Sequence, residues 1–206
     1  MAETGKQSTK ERLVAESMRL FGSRGYAGTS ISDIEAAAGL SAGSGSLYRH
    51  FSSKEDLLAA GIRRQIADGR SLLAFLGDPQ TLPRLSLRER LTAVATAGLR
   101  RLEQEADFNR ILVRDLKHFP ELLAIAKDDE VARIHTAVAT WLSTQSDGQR
   151  ITQEWDALAA VIIGSISNFW LLVDVFGRHP AGISEDRYIA ALVDMLVPSI
   201  EGMPES

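Results

Sequence analysis

The chain has 206 residues, 45% of them hydrophobic, a share that supports a full globular core. It contains no cysteine, which excludes disulfides, thiolate zinc sites, thiol redox sensing and cysteine nucleophiles. The net charge of −4 is uneven: residues 1–65 hold nine Lys/Arg against seven Asp/Glu, and the remainder fourteen against twenty. An acidic body with a slightly basic head suits a protein that meets a polyanion with one end only.

Helical spacing dominates the chain, and no run alternates as a half-buried strand would. The opening residues MAETGKQSTK are polar, unlike a secretory signal. A first helix is predicted from Thr9 to Arg24, with Leu13, Ser17, Leu20 and Phe21 on one stripe and Gly25 ending it. Thr29-Ser30 or Ser32 caps a short second helix carrying Ile31, Ile34 and Ala38, closed by Gly39. The segment from Leu40 to Phe51 begins rich in glycine and serine and ends aromatic, and Ser41 and Ser44 are alternative caps for the helix within it. Ser52 or Ser53 opens a helix to about Leu76, with Glu55 and Asp56 in its first turn, where carboxylates favour the helix dipole.

Gly77-Asp78-Pro79 and Pro83 mark a linker. Longer helices are predicted beyond it, over 86–105, 107–119, 120–144, 152–176 and 184–200. Pro120 stands where a helix accepts proline, Val131, Ile134, Val138, Trp141 and Leu142 point inward, and Pro198 and Gly202 end the last helix. The most apolar stretch, Val161 to Phe176, contains Asn168 and Asp174 and falls short of the roughly 20 residues of a membrane span. The expected class is all-α, in the cytoplasm, with no membrane partner.

Three short helices with a tight glycine-containing turn between the last two form a helix-turn-helix. The words are specific: Leu-Phe-Gly-Ser-Arg-Gly-Tyr at 20–26, Thr29-Ser30-Ile31, Asp33-Ile34, Ala37-Ala38-Gly39-Leu40-Ser41, Leu47-Tyr48-Arg49-His50-Phe51, then Ser53-Lys54-Glu55 and Leu57. Over about residues 10–58 this string closely resembles the DNA-binding region of the TetR family of repressors. The resemblance implies a helix-turn-helix domain at 1–52, a ligand-sensing and dimerisation domain of bundled helices at 53–206, and a two-fold dimer on a double-stranded DNA operator. It implies that Tyr48, His50 and Lys54 donate to phosphates, with Thr29 as a further candidate. Phe21, Ile34, Leu47 and Phe51 are expected to be core.

The interval from Gly39 to Leu47 is longer than in the commoner family pattern and carries no long side chain. Base readout usually uses Arg, Lys, Asn or Gln, and residues 41–46 offer none. Ser41, Gly43, Ser44, Gly45 and Ser46 are therefore expected to bring backbone and short hydroxyls close to DNA. Arg49, the Lys6–Lys10 arm and DNA shape would supply specificity.

The helix over 152–176 is apolar on both sides, so the second side is expected to meet a partner chain. Val161, Gly164, Ser165, Leu172 and Val175, with Tyr188, Leu192, Met195 and Leu196 of the last helix, form the expected dimer interface. The resemblance also implies a cavity for a small effector; Phe75, Leu102, Phe108, Leu112, Leu116, His118, Trp141 and Asn168 are the candidate lining, suited to an apolar or aromatic ligand. The four histidines, His50, His118, His135 and His179, form no close pair, so no metal site is expected. No cofactor is expected either. Gly43-Ser44-Gly45 does not follow a strand and is no dinucleotide fingerprint, and Asp128-Asp129-Glu130 lacks calcium-loop spacing, so an enzyme is not expected.

Overall fold

The computed structural model describes residues 8–68, 74, 76, 84–145 and 154–201. Among them there is no strand, and the chain divides into two compact units: residues 1–69 with 105–130, and residues 70–104 with 131–206. These units do not follow the boundary drawn at residue 52, because the helices Ala106–Arg114 and Pro120–Ala126 pack with the N-terminal ones.

In the first unit, α1 (Thr9–Arg24) opens on a capping box: the Glu11 N–H donates to Ser8 Oγ (3.2 Å) and the Ser8 N–H to Glu11 Oε2 (2.8 Å). Helix α2 (Ile31–Ala37) repeats the device with Ser30 and Asp33, which resolves the capping alternatives in favour of Ser30. A single 3₁₀ turn spans Ser46–Arg49, where a recognition helix capped by Ser41 or Ser44 was expected. Next comes α3 (Lys54–Asp68), whose Asp56 N–H donates to Ser53 Oγ (3.0 Å). Residues 74 and 76 are also helical; Phe75 and the predicted linker over 77–83 lie outside the described residues.

Leu13, Phe21, Ile34, Leu47, Leu57, Leu58 and Ile62 are fully buried in one core, so all four residues expected there from the motif are present, Phe51 included. Helix α5 (Ala106–Arg114) and α6 (Pro120–Ala126), joined by a 3₁₀ turn at Leu116–His118, add Phe108, Ile111, Leu116 and Leu122 to the same core. Helix α1 packs against α3 and α5. Arg114 fixes the latter contact: its Nη2 donates to the Phe21 carbonyl and to the Gly22 carbonyl (3.2 Å), both in the last turn of α1, where a cation complements the helix dipole.

The second unit holds α4 (Leu87–Gln104), α7 (Ala132–Ser143), α8 (Trp155–Phe176) and α9 (Glu185–Glu201). Ser86 caps α4 by the same serine–carboxylate exchange, here with Glu89. Helix α7 packs on α8, and α4 on both α8 and α9. Their buried faces carry Leu91, Val94, Leu99, Trp141, Leu142, Ile162, Ile166, Phe169, Leu192 and Leu196.

Three expectations need correction. The segment 120–144 is not one helix: a π-helical turn at Lys127–Val131 inserts between α6 and α7 and turns Glu130 inward while Asp128, Asp129 and Val131 face solvent. Pro198 does not end α9, because the Asp194 residue whose carbonyl loses its N–H partner is exposed to water. Finally, α8 has 22 residues and is long and apolar enough to cross a membrane, unlike the shorter stretch read from sequence. Its apolar character is divided between a face buried in the unit and an outer face that carries Asp156 and Asn168.

Candidate nucleic-acid interface

The Gly/Ser segment after α2 is a folded turn. Gly39, Gly43 and Gly45 adopt φ of 70°, 71° and 69°, the left-handed region in which a Cβ is disfavoured. The Ser44 N–H donates to the Ser41 carbonyl (3.2 Å), and the Ser46 N–H donates to Ser44 Oγ (3.3 Å), which in turn pairs with Ser46 Oγ (2.7 Å). Neither alternative cap forms: Gly45 is the N-cap of the next turn, with no side-chain cap hydrogen bond, and the Ser44 hydroxyl braces the turn only through Ser46. The Tyr48 N–H then donates to the Gly45 carbonyl (3.1 Å), starting the 3₁₀ turn.

That turn points residues in opposite directions. Leu47 is fully buried, and Phe51 beyond it is buried too. Tyr48, 58% exposed, and the exposed Arg49 and His50 face outward beside exposed Ser41, Gly43 and Ser44. Gly45 and Ser46 are half-buried. Eight of the ten residues expected to meet DNA thus form one continuous run, mixing hydroxyls, a phenol, a guanidinium and open backbone, the donor types that bind phosphate and base edges.

The other two are turned inward. Thr29 is 1% exposed, and its hydroxyl donates to the Gly25 carbonyl (2.8 Å) with a longer contact to that of Leu20 (3.3 Å). It locks the α1–α2 corner and has no free donor for phosphate. Lys54 is half-buried, its ammonium 4.1 Å from the Tyr26 ring centroid, and it donates to the Thr29 carbonyl at 2.7 Å. Burial lowers its pKa, and the nearby Asp115 carboxylate acts the other way. Both residues hold the α1–α2 corner from within, Lys54 tying it to α3.

Glu35 was missed from sequence. It is fully buried in α2, and its Oε1 accepts the Leu47 N–H at 3.0 Å. The available signal was a carboxylate next to Ile34, on the helix face that the motif assigns to the core.

The candidate effector residues do not come together in one unit. Phe108 and Leu116 are buried and Leu112 partly buried in the first unit's core, and His118 is exposed. Leu102, Trp141 and Asn168 belong to the second unit; Trp141 is buried, Leu102 half-buried and Asn168 exposed on α8. Of the expected dimer residues, Val161 is 56%, Val175 62% and Met195 67% exposed. Gly164 is exposed, with nothing within 4 Å of a Cβ placed there. Ser165, Leu172 and Tyr188 are half-buried, and the Tyr188 hydroxyl donates to the Ser165 carbonyl (2.8 Å). Leu192 and Leu196 face the unit's own core.

Residues 13–60 match the model of the tetR family of bacterial regulatory proteins. The HTH-type transcriptional regulator YerO of Bacillus subtilis (strain 168) is 47% identical over 49 residues, 24% of this chain and 16% of that protein. AcrR of Shigella flexneri, another HTH-type transcriptional regulator, is 30% identical over 109 residues, half of each chain. The chain thus spans half or less of these relatives. Among solved structures, a TetR transcriptional regulator from Chloroflexus aurantiacus superposes with a TM-score of 0.72 at 24% identity, covering 91% of this chain and 93% of that one. AibR, solved with isovaleryl coenzyme A and operator DNA, superposes with a TM-score of 0.67 at 20% identity, covering 93% and 99%. These likenesses show a shared fold beyond the motif; the motif itself, with its buried Leu47 and outward Tyr48, Arg49 and His50, lies within the residues that match the tetR family's model.

Proposed function

We propose that this protein is a transcriptional regulator of the tetR family, a dimeric repressor that binds a palindromic operator through the Ser41–His50 segment and is released by a small, largely apolar or aromatic ligand. The observation that carries the reading is the outward run ending in Tyr48-Arg49-His50, braced from below by buried Leu47 and Phe51. Backbone amides, short hydroxyls and Tyr48 and His50 hold the phosphates, while Arg49 contributes the one long cationic side chain of the turn. No catalytic role, cofactor or metal is part of this reading, and a chain that works on DNA acts in the cytoplasm.

The exposed apolar residues of α8 and α9 support a homodimer, because two copies burying Val161, Val175 and Met195 remove these apolar side chains from water. A closed dimer reads two half-sites about one DNA turn, roughly 34–36 Å, apart. AibR, solved with isovaleryl coenzyme A and operator DNA, supports a response to a ligand but carries no argument for an apolar one. Such a ligand acts only by binding the DNA-incompetent arrangement better than the competent one.

The test is binding of the purified protein to duplex DNA flanking its own gene across a salt series. Affinity falling steeply with salt, with a footprint of two symmetric half-sites, supports the reading. Absence of salt-dependent binding to any duplex would overturn it.

A further inference from the structure

We propose that Glu35 is a positioning residue for DNA readout, clasping both ends of the Ser41–Ser46 turn so that its serines and glycines reach the groove in one conformation. The inference rests on the DNA-binding reading above. The clasp consists of two hydrogen bonds to a single residue. At the entrance, the Leu40 N–H donates to the Glu35 backbone carbonyl at 2.8 Å. At the exit, the Leu47 N–H donates to the Glu35 side-chain Oε1 at 3.0 Å. Everything between these two amides is short: Ser, Ala, Gly, Ser, Gly, Ser.

A turn of this composition has no side chain large enough to pack itself into place, and its two left-handed glycines give it wide conformational freedom. Recognition by short hydroxyls and backbone tolerates little displacement, because none of these groups can reach further if the backbone shifts. The clasp supplies the missing constraint from inside α2. Its placement is costly: Glu35 Oε2 is buried with no hydrogen-bond partner, and an ionisable side chain is kept there although an apolar one would pack without that penalty. Loss of Oε1 would leave the Leu47 amide buried and unpaired and release the turn's exit.

The experiment compares wild type with Glu35→Gln, which keeps an acceptor at the same reach, and Glu35→Met, which keeps length but offers none. A duplex is first selected by the wild-type protein from a randomised pool. Each protein's affinity is then measured for that duplex and for a scrambled one, and amide exchange is followed at Leu47 and Ala38. The Met variant is expected to lose about tenfold or more of the selected-to-scrambled ratio while binding scrambled DNA as well as wild type does. Its Leu47 amide exchanges faster, and its Ala38 amide, which closes α2 on the Ile34 carbonyl, is unchanged. The Gln variant retains the ratio and the protected Leu47 amide. A Met variant with an unaltered ratio, or one in which Ala38 accelerates as much as Leu47, overturns the assignment, the latter by making Glu35 a residue that merely holds α2 folded. Wild-type protein that selects no sequence fails at the earlier step and removes the DNA-binding reading itself.

Discussion

The Lys54 ammonium donates to the Thr29 carbonyl at 2.7 Å and lies over the Tyr26 ring, so the first residue of α3 is fastened to the corner that precedes α2. Thr29 in turn is held by its hydroxyl on the Gly25 carbonyl. A lysine read from the motif as a phosphate donor is thereby engaged within the protein, and this distinction is measurable. Lys54→Met is expected to destabilise the protein by about 1–2 kcal/mol, in the range of a partly exposed charge-assisted hydrogen bond. The slope of log affinity against log salt should stay as in wild type, whereas removal of a phosphate contact lowers it by about 1. A shallower slope in Lys54→Met would return the ammonium to the DNA.

Two helical glycines test how closely the first unit is packed. A Cβ at Gly22 would fall 2.6 Å from the Asp107 Cα, and one at Gly61 would fall 2.7 Å from Met18 Cγ. The obstacle at Gly22 is backbone of α5, which can yield only by opening the α1–α5 contact; at Gly61 it is a flexible thioether chain. Gly22→Ala is therefore expected to cost about 2 kcal/mol or more by overpacking. Gly61→Ala should cost less, since Met18 can change rotamer and alanine gains up to about 1 kcal/mol in helix propensity. Chemical denaturation of both variants measures the difference, and equal losses would contradict the account.

The parts of this fold that the sequence displays are those with local physical causes. Serine–carboxylate spacings at Ser8/Glu11, Ser30/Asp33 and Ser86/Glu89 fix helix starts within a few residues, and each cap forms. Leu47 and Phe51 are legible as core because the 3₁₀ turn between them places them on one side. The place of Glu35 beside Ile34 was legible but its role was not, since its partner is the backbone N–H of Leu47, twelve residues away, and backbone donors leave no mark on sequence. The inward Lys54 failed for a related reason: its acceptor is the Thr29 carbonyl. The π turn at Lys127–Val131 interrupts a sequence that is good helix throughout and so gave no stop signal.

The same caps predict behaviour in acid. Glu11 is held below the usual carboxylate range chiefly by the Ser8 backbone N–H, and Asp56 likewise by the Ser52 N–H. The Ser30 and Ser86 hydroxyls do the same, foremost among their causes, for Asp33 and Glu89. With the folded pKa below the unfolded one, each carboxylate adds stability that is complete above about pH 4–5, the unfolded range, and declines as pH falls through the folded value. Thermal midpoints measured from pH 7 down to about pH 3 should fall across that window. The combined substitutions Glu11→Gln, Asp33→Asn and Glu89→Gln should flatten the decline; an unchanged pH profile would show that other carboxylates govern it.

The outer face of α8 offers a test of the dimer in which the protomer serves as its own control. Gly164 has nothing within 4 Å of a Cβ placed there, so no neighbour in its own chain explains a glycine in mid-helix. Glycine in an exposed helix interior is about 1 kcal/mol worse than alanine. In a monomer, Gly164→Leu should therefore be neutral or stabilising. If a second α8 crosses at Gly164, the added side chain instead separates the two backbones and uncovers Val161 and Val175. The expected result is a shift toward monomer in sedimentation, with helix content retained and affinity for a two-half-site duplex reduced at least tenfold. Val161→Glu should act in the same direction through burial of an unpaired charge. A Gly164→Leu protein that stays dimeric and more stable would place the interface away from this face of α8.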